Sequence, residues 1–164
     1  MAQQLGSMMS DDKFESRATS RLLAVQALYQ MEIAQTPLEL IIREFQDHRV
    51  ENPLDGTEMP EADIAYFEFI VRGVMDCQTK IDRAIDGYLA TNWRLSRLDS
   101  TLRAILRCGV CELLAEQKAP SGVVVSQYTD IAHAFFDGPE GGMTNALLDR
   151  LAKAVDEGGV SVDF

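Results

Sequence analysis

Two arginines, Arg17 and Arg21, stand four residues apart in the stretch SRATSRLLAVQALYQ, and Arg103 and Arg107 repeat that spacing in RLSRLDSTLRAILR. On a helix, side chains four apart leave the same face about one turn apart, so each pair makes a short cationic ridge. A guanidinium is a planar, permanently charged fork that fits the oxygens of a phosphate, so paired forks suit a phosphate run. Tyr29 lies two turns beyond Arg21, rotated by roughly 80° about the axis, where its ring can stack on a base. The competing reading is a solvated face of arginines with Tyr29 turned into the core. The second cluster tells against it: Arg94, Arg97, Arg103 and Arg107 share that stretch with one acid, Asp99, although acids outnumber bases 26 to 15 over the chain. If the fold brings the two helices together, the ridges form one composite cationic surface.

The rest of the composition limits what else the chain can do. A net charge of -11 repels polyanions at long range and attracts basic proteins, but closely grouped arginines prevail at contact once salt screens the distant acids. His48 and His133 have no cysteine or paired carboxylate at ligand spacing, so no metal is expected. The glycines of DGPEGG lack the Lys-Ser/Thr of a phosphate loop, and the serine of GVVVSQY lacks the flanking glycines of a nucleophile elbow. Cys108 and Cys111 spell C-x-x-C inside the apolar helical pattern LRAILRCGVCELL, which reads as a buried structural pair of thiols; Cys77 makes the number odd. Neither an enzyme nor a cofactor is expected. No apolar run is long enough for a membrane span and no secretory leader is visible, so the expected location is the cytoplasm.

The elements that must hold these residues are helices throughout, with no period-2 strand pattern. Leu22, Val25, Leu28 and Tyr29 mark a first helix over about 16–33, after a start (1–15) expected to be disordered or tag-derived. Thr36, Pro37 and Glu39 form the start signal of a second, ending near Arg49 and followed by the turn-rich loop VENPLDGTEMP. Asp63 opens a third helix, and Ile81, Ile85, Tyr88 and Leu89 mark a fourth. Asp99 caps a long fifth helix with a wide apolar stripe, the expected central core helix. VVVSQYTDIAHAFF and MTNALLDRLAKAV supply the last two, before a short tail at 158–164. The expectation is one all-α domain over 16–157.

AVQALYQ (24–30), RAILRCGVCELL (103–114), Pro120 with VVVSQYTDIAHAFF, and TNALLDRLAK (144–153) occur in this order and spacing, and together they resemble the NusB family of bacterial transcription antitermination factors. The resemblance implies two packed helical bundles forming one compact domain of about seven helices, without catalytic activity. It implies binding to the boxA element of nascent RNA together with the ribosomal protein NusE, a basic partner for an acidic chain. The complex would modify transcribing RNA polymerase on ribosomal RNA operons, as a monomer or homodimer when unbound. By position, the family's arginine-rich motif falls on Arg17 and Arg21, its RNA-contacting aromatic on Tyr29, and basic positions of the core helix on Arg103 and Arg107; on that basis Arg21→Ala weakens RNA binding by about 1 kcal/mol. Where the family has Phe-Val-Asn-Gly, this chain has Met143, Thr144, Asn145 and Ala146, so Met143 and Asn145 complete the implied RNA site without the aromatic. Ser126 and Gln127 replace a common Asn-Glu, and Ala18, Thr19 and Ser20 stand where more arginine can occur. Two alternatives remain: an acidic protein-interaction module without an RNA role, and the N-terminal domain of an RNA methyltransferase.

Overall fold

A computed structural model describes the backbone of residues 2–47, 56–115 and 119–158, and side chains over 13–46, 56–115 and 119–158. His48, Arg49, most of the turn-rich loop and the tail beyond Gly158 lie outside the described residues. Six α-helices appear among those described: α1 (Ala2–Ala34), α2 (Leu38–Asp47), α3 (Ile64–Tyr88), α4 (Ser100–Leu114), α5 (Ser121–Phe135) and α6 (Glu140–Asp156), with a 3-10 turn at Leu95–Arg97. The fold is all-α. α1 begins at Ala2, so the backbone over 2–15, read from sequence as a disordered or tag-derived start, is helical.

α4 occupies the centre because almost no face of it is polar. From Leu102 to Leu114 only Arg103 and Arg107 escape full burial, and a helix apolar nearly all round must be enclosed. It packs against α1 and α3 on one side and α5 and α6 on the other, joining the two bundles. Close approach on both sides needs missing side chains. A Cβ on Gly73 of α3 would sit 2.7 Å from Cys111 Sγ, and one on Gly109 would sit 3.0 Å from Leu148 Cδ1 of α6. Cys108 and Cys111 are free thiols inside this core, and burial pushes the Cys111 thiol up to about 12.

Helix starts follow the sequence signals closely. Asp63 accepts a bond from Tyr66 N and caps α3, and Asp99 accepts one from Thr101 N and caps α4. Pro37 carbonyl accepts the first bond of α2 from Ile41 N, after Gln35 has turned the chain through a left-handed conformation (φ 53°). The third and fourth expected helices prove to be one. α3 runs through both apolar patterns and bends at Cys77, whose φ and ψ of -120° and 19° are not helical. α6 starts at Glu140, three residues before the expected start, because Pro139 can open a helix and the last two glycines of DGPEGG, Gly141 and Gly142, fall within its first turn. Among the described residues no helix is long and apolar enough to cross a membrane.

Candidate nucleic-acid interface

α1 and α4 do lie together, but the arginines do not make one exposed ridge. Arg21 is 1 % exposed. Its Nε and Nη2 donate to the two Glu112 carboxylate oxygens at 2.9 and 3.1 Å, a bidentate pair across the α1–α4 contact. Glu112 also accepts bonds from the Tyr66 and Tyr128 hydroxyls, so the lone pairs of a buried carboxylate are filled. Burial alone would lower the Arg21 pKa, but the bond and charge of Glu112 raise it above the usual arginine range. Burial, reinforced by the same carboxylate, pushes both tyrosine hydroxyls upward. Arg21 is therefore a core cation, and its assignment as a phosphate ligand is corrected by that burial. Arg17, one turn earlier, is half-buried, with its guanidinium carbon 4.5 Å from the centre of the Tyr66 ring.

The second pair is held by acids from two other helices. Arg103 donates to Glu32 at the end of α1 from Nε (3.2 Å) and Nη2, and its Nη1 donates to the carbonyls of Leu95 and Leu98 at 3.1 and 2.9 Å. Arg107 makes a bidentate pair with Asp82 of α3 at 2.9 and 3.0 Å and approaches Glu32 at 3.6 Å. The bond from Arg103 holds the Glu32 carboxyl below its ordinary range against a smaller opposing effect of burial. These two side chains keep 13 and 16 % exposure and line a groove of about 750 Å³ that also includes Asp86, Trp93 and Arg94. Arg21 and Glu32 are eleven residues apart, so the two ion-pair clusters sit roughly 16 Å apart along α1 at 1.5 Å per residue. The composite cationic surface expected from the sequence is thus replaced by two separate clusters, each with its own acid.

Tyr29, the expected stacking aromatic, lies near the end of α1. The side chain is 42 % exposed and borders an apolar groove of about 550 Å³ whose walls include Val25, Ile33, Phe45, Thr101 and Phe135. Met143 is half-buried against the core, while Asn145 is exposed on α6. Among the described residues α6 contributes nothing to the Tyr29 groove, so the structure does not gather Met143 and Asn145 with Tyr29. Thr19 and Ser20, at positions where the resemblance admits arginine, are buried; Ser20 Oγ donates to Asp63 O at 2.7 Å and fastens α1 to the start of α3.

Sequence reading missed Glu112, Tyr66, Tyr128, Glu32 and Asp82 as partners. A signal existed for the first: Glu112 interrupts an apolar helix, and Arg21 is in phase with Ala24, Val25 and Leu28. A charge on an apolar stripe calls for an opposite charge on another stripe. Nothing comparable marks Glu32 or Asp82, which lie on solvated faces.

The architecture defines a class: an all-helical domain of two bundles around one nearly apolar helix, with arginine clusters where the bundles meet α1. The NusB family model matches residues 18–153. The transcription antitermination protein NusB of Caulobacter vibrioides is 44 % identical over 145 residues, covering 88 % of this chain and 97 % of that protein. Its namesake from Sphingopyxis alaskensis is 48 % identical over 141 residues, covering 86 and 95 %. Among solved structures, NusB of T. maritima superposes with a TM-score of 0.70 at 30 % identity, covering 84 % of this chain and 90 % of that one. A chain in a crystal structure of a plectonemic RNA supercoil gives 0.67 at 25 % identity, covering 85 and 95 %. The chain belongs to the NusB family.

Proposed function

We propose that this chain is a non-enzymatic transcription antitermination factor that binds single-stranded boxA RNA in company with the ribosomal protein NusE. On this reading the complex alters elongation by RNA polymerase on ribosomal RNA operons. The observation that carries the role is the near-full-length similarity to proteins named as antitermination factors. The RNA chemistry is supported by Tyr29, an exposed ring beside an apolar groove large enough for a nucleobase. Arg103, bonded to Glu32 three residues beyond Tyr29, is the cation of the proposed phosphate set at that end of α1; Arg17 lies about three turns back along the helix, and Arg21 leaves the set. Arg103 and Arg107 contact phosphate by exchanging Glu32 and Asp82 for it, and Asn145 offers an exposed amide to a base edge.

Acid-held arginines make RNA binding by the chain alone weak, and a basic partner restores the missing positive field. Titration of boxA RNA against this protein with and without NusE, at several salt concentrations, tests the account: the pair binds more tightly than the chain alone. Equal affinity in both arms defeats the cooperative account. A second reading, a protein-interaction module with no RNA role, is favoured by one observation: Arg21, Arg103 and Arg107 all have internal acid partners. RNA that leaves the protein unshifted at low salt even with NusE present establishes that reading instead.

A further inference from the structure

Tyr66 touches both arginines of the first cluster. Its ring centroid lies 4.5 Å from the Arg17 guanidinium carbon and 5.3 Å from that of Arg21. Contacts at several points hold Tyr66 in place. Its hydroxyl donates to Glu112 and accepts from Arg21 Nη2 at 3.3 Å, its backbone N–H is bonded to the Asp63 carboxylate at 3.0 Å, and Phe69 packs at a centroid distance of 5.7 Å. Tyr66 is 4 % exposed, whereas Arg17 above it is half-buried. A fixed aromatic face therefore meets an arginine at the margin of the core, in the position of a cation–π contact.

Stacking engages the face of a guanidinium and leaves its in-plane N–H donors to other partners. An arginine already held in one orientation loses less rotamer freedom when it meets a phosphate. We propose that Tyr66 is a positioning residue for RNA: locked by the buried Arg21–Glu112 pair, it presents Arg17 to a backbone phosphate. The proposal rests on the RNA-binding reading above. It gives the buried pair a place in binding, since Arg21 and Glu112 act by fixing the ring rather than by touching RNA.

The test is a set of salt titrations of the boxA oligonucleotide, with NusE present, against wild type, Arg17→Ala, Tyr66→Leu, Tyr66→Phe and the double variant Arg17→Ala/Tyr66→Leu. Arg17→Ala removes one phosphate contact, which lowers the steepness of log K against log salt by about 0.7 for a single strand. Tyr66→Leu produces the same change in slope and a similar loss of roughly five- to tenfold. The double variant is no weaker than either single one. Tyr66→Phe keeps the aromatic face but loses the hydroxyl through which the buried pair holds it, so its affinity and slope fall less than those of Tyr66→Leu, and it melts earlier. A folded Tyr66→Leu protein with wild-type affinity and slope overturns the proposal, as do losses that multiply in the double variant.

A measurement on the wild-type chain covers the case in which Tyr66→Leu does not fold. Ring current shifts the Arg17 Nε–H resonance upfield if the stack exists in solution, and a resonance at the position of an unstacked arginine overturns the proposal. Wild-type protein that does not bind the RNA at all overturns the RNA reading and this inference together. That result is distinct from binding that ignores Tyr66.

Discussion

An arginine with 1 % exposure and a carboxylate partner 91 positions later in the chain contributes to the fold before it can contribute to anything else. Removing one partner of such a pair strands the other charge away from water, which costs about 3–5 kcal/mol. Arg21→Ala is therefore expected to lower unfolding stability by that amount in a denaturant titration. The RNA affinity of the folded fraction falls only as far as Tyr66 loosens. This replaces the expectation of a direct contact worth about 1 kcal/mol; a variant of wild-type stability with sharply weakened RNA binding restores the contact. Replacing Arg21 and Glu112 together by methionine and leucine costs less than the sum of the single changes, because neither charge is stranded. It still leaves the Tyr66 and Tyr128 hydroxyls without their acceptor. The arginines were legible in the sequence as pairs because i,i+4 spacing is local. Their burial was not, because it is decided by which stripe of α1 meets α4, and that depends on a partner far away in the chain.

Helix ends make the second cluster. Glu32 is in the last turn of α1, at the negative end of that helix dipole, but it accepts bonds from Ser100 and Arg103 in the first turn of α4, whose dipole end is positive. The folded state therefore holds Glu32 ionised to lower pH than the unfolded chain does. As pH falls through the ordinary carboxylate range the unfolded state takes up the proton first, so stability is full above that range. It is lost as pH falls through the depressed folded value. Glu32→Gln is expected to flatten this acid limb from the ordinary carboxylate range downward. The pair is partly exposed, so the loss at neutral pH stays below about 1 kcal/mol. Melting temperatures of both proteins across that range measure it; parallel acid limbs show that Glu32 has no depressed pKa. Helix starts at Asp63 and Asp99 could be predicted because a cap is a contact within three residues. The union of two apolar patterns into α3 could not, since a bend at Cys77 shifts the phase of the stripe and imitates a break. The groove beside Tyr29 was illegible for a similar reason, being walled by residues from α1, α2, α4 and α5.

At the scale of the whole molecule, a protein of net charge -11 is proposed to bind a polyanion, and the two fields compete over different distances. A chain of this length has a radius of gyration of about 15 Å. At 0.15 M salt the screening length of about 8 Å is shorter than that, so RNA at Tyr29 and Arg17 responds to its immediate surroundings. At 0.01 M the screening length reaches about 30 Å, and the RNA meets the repulsion of the entire body. Phosphate contacts release counterions and strengthen binding as salt is lowered, by about 0.7 in log K per decade for each contact with a single strand. Repulsion from the remaining acids grows over the same interval. For the chain alone, log K plotted against log salt is therefore expected to rise from 0.3 M downward and then flatten or turn over before about 0.01 M is reached. A basic partner bound to the acidic surface cancels the distant field, so with NusE present the line stays straight and steeper throughout. Fluorescence anisotropy of labelled boxA RNA over this salt range measures both curves. A straight line for the chain alone, parallel to that of the pair, means that the RNA never senses the acidic body and that the partner's contribution is contact rather than field.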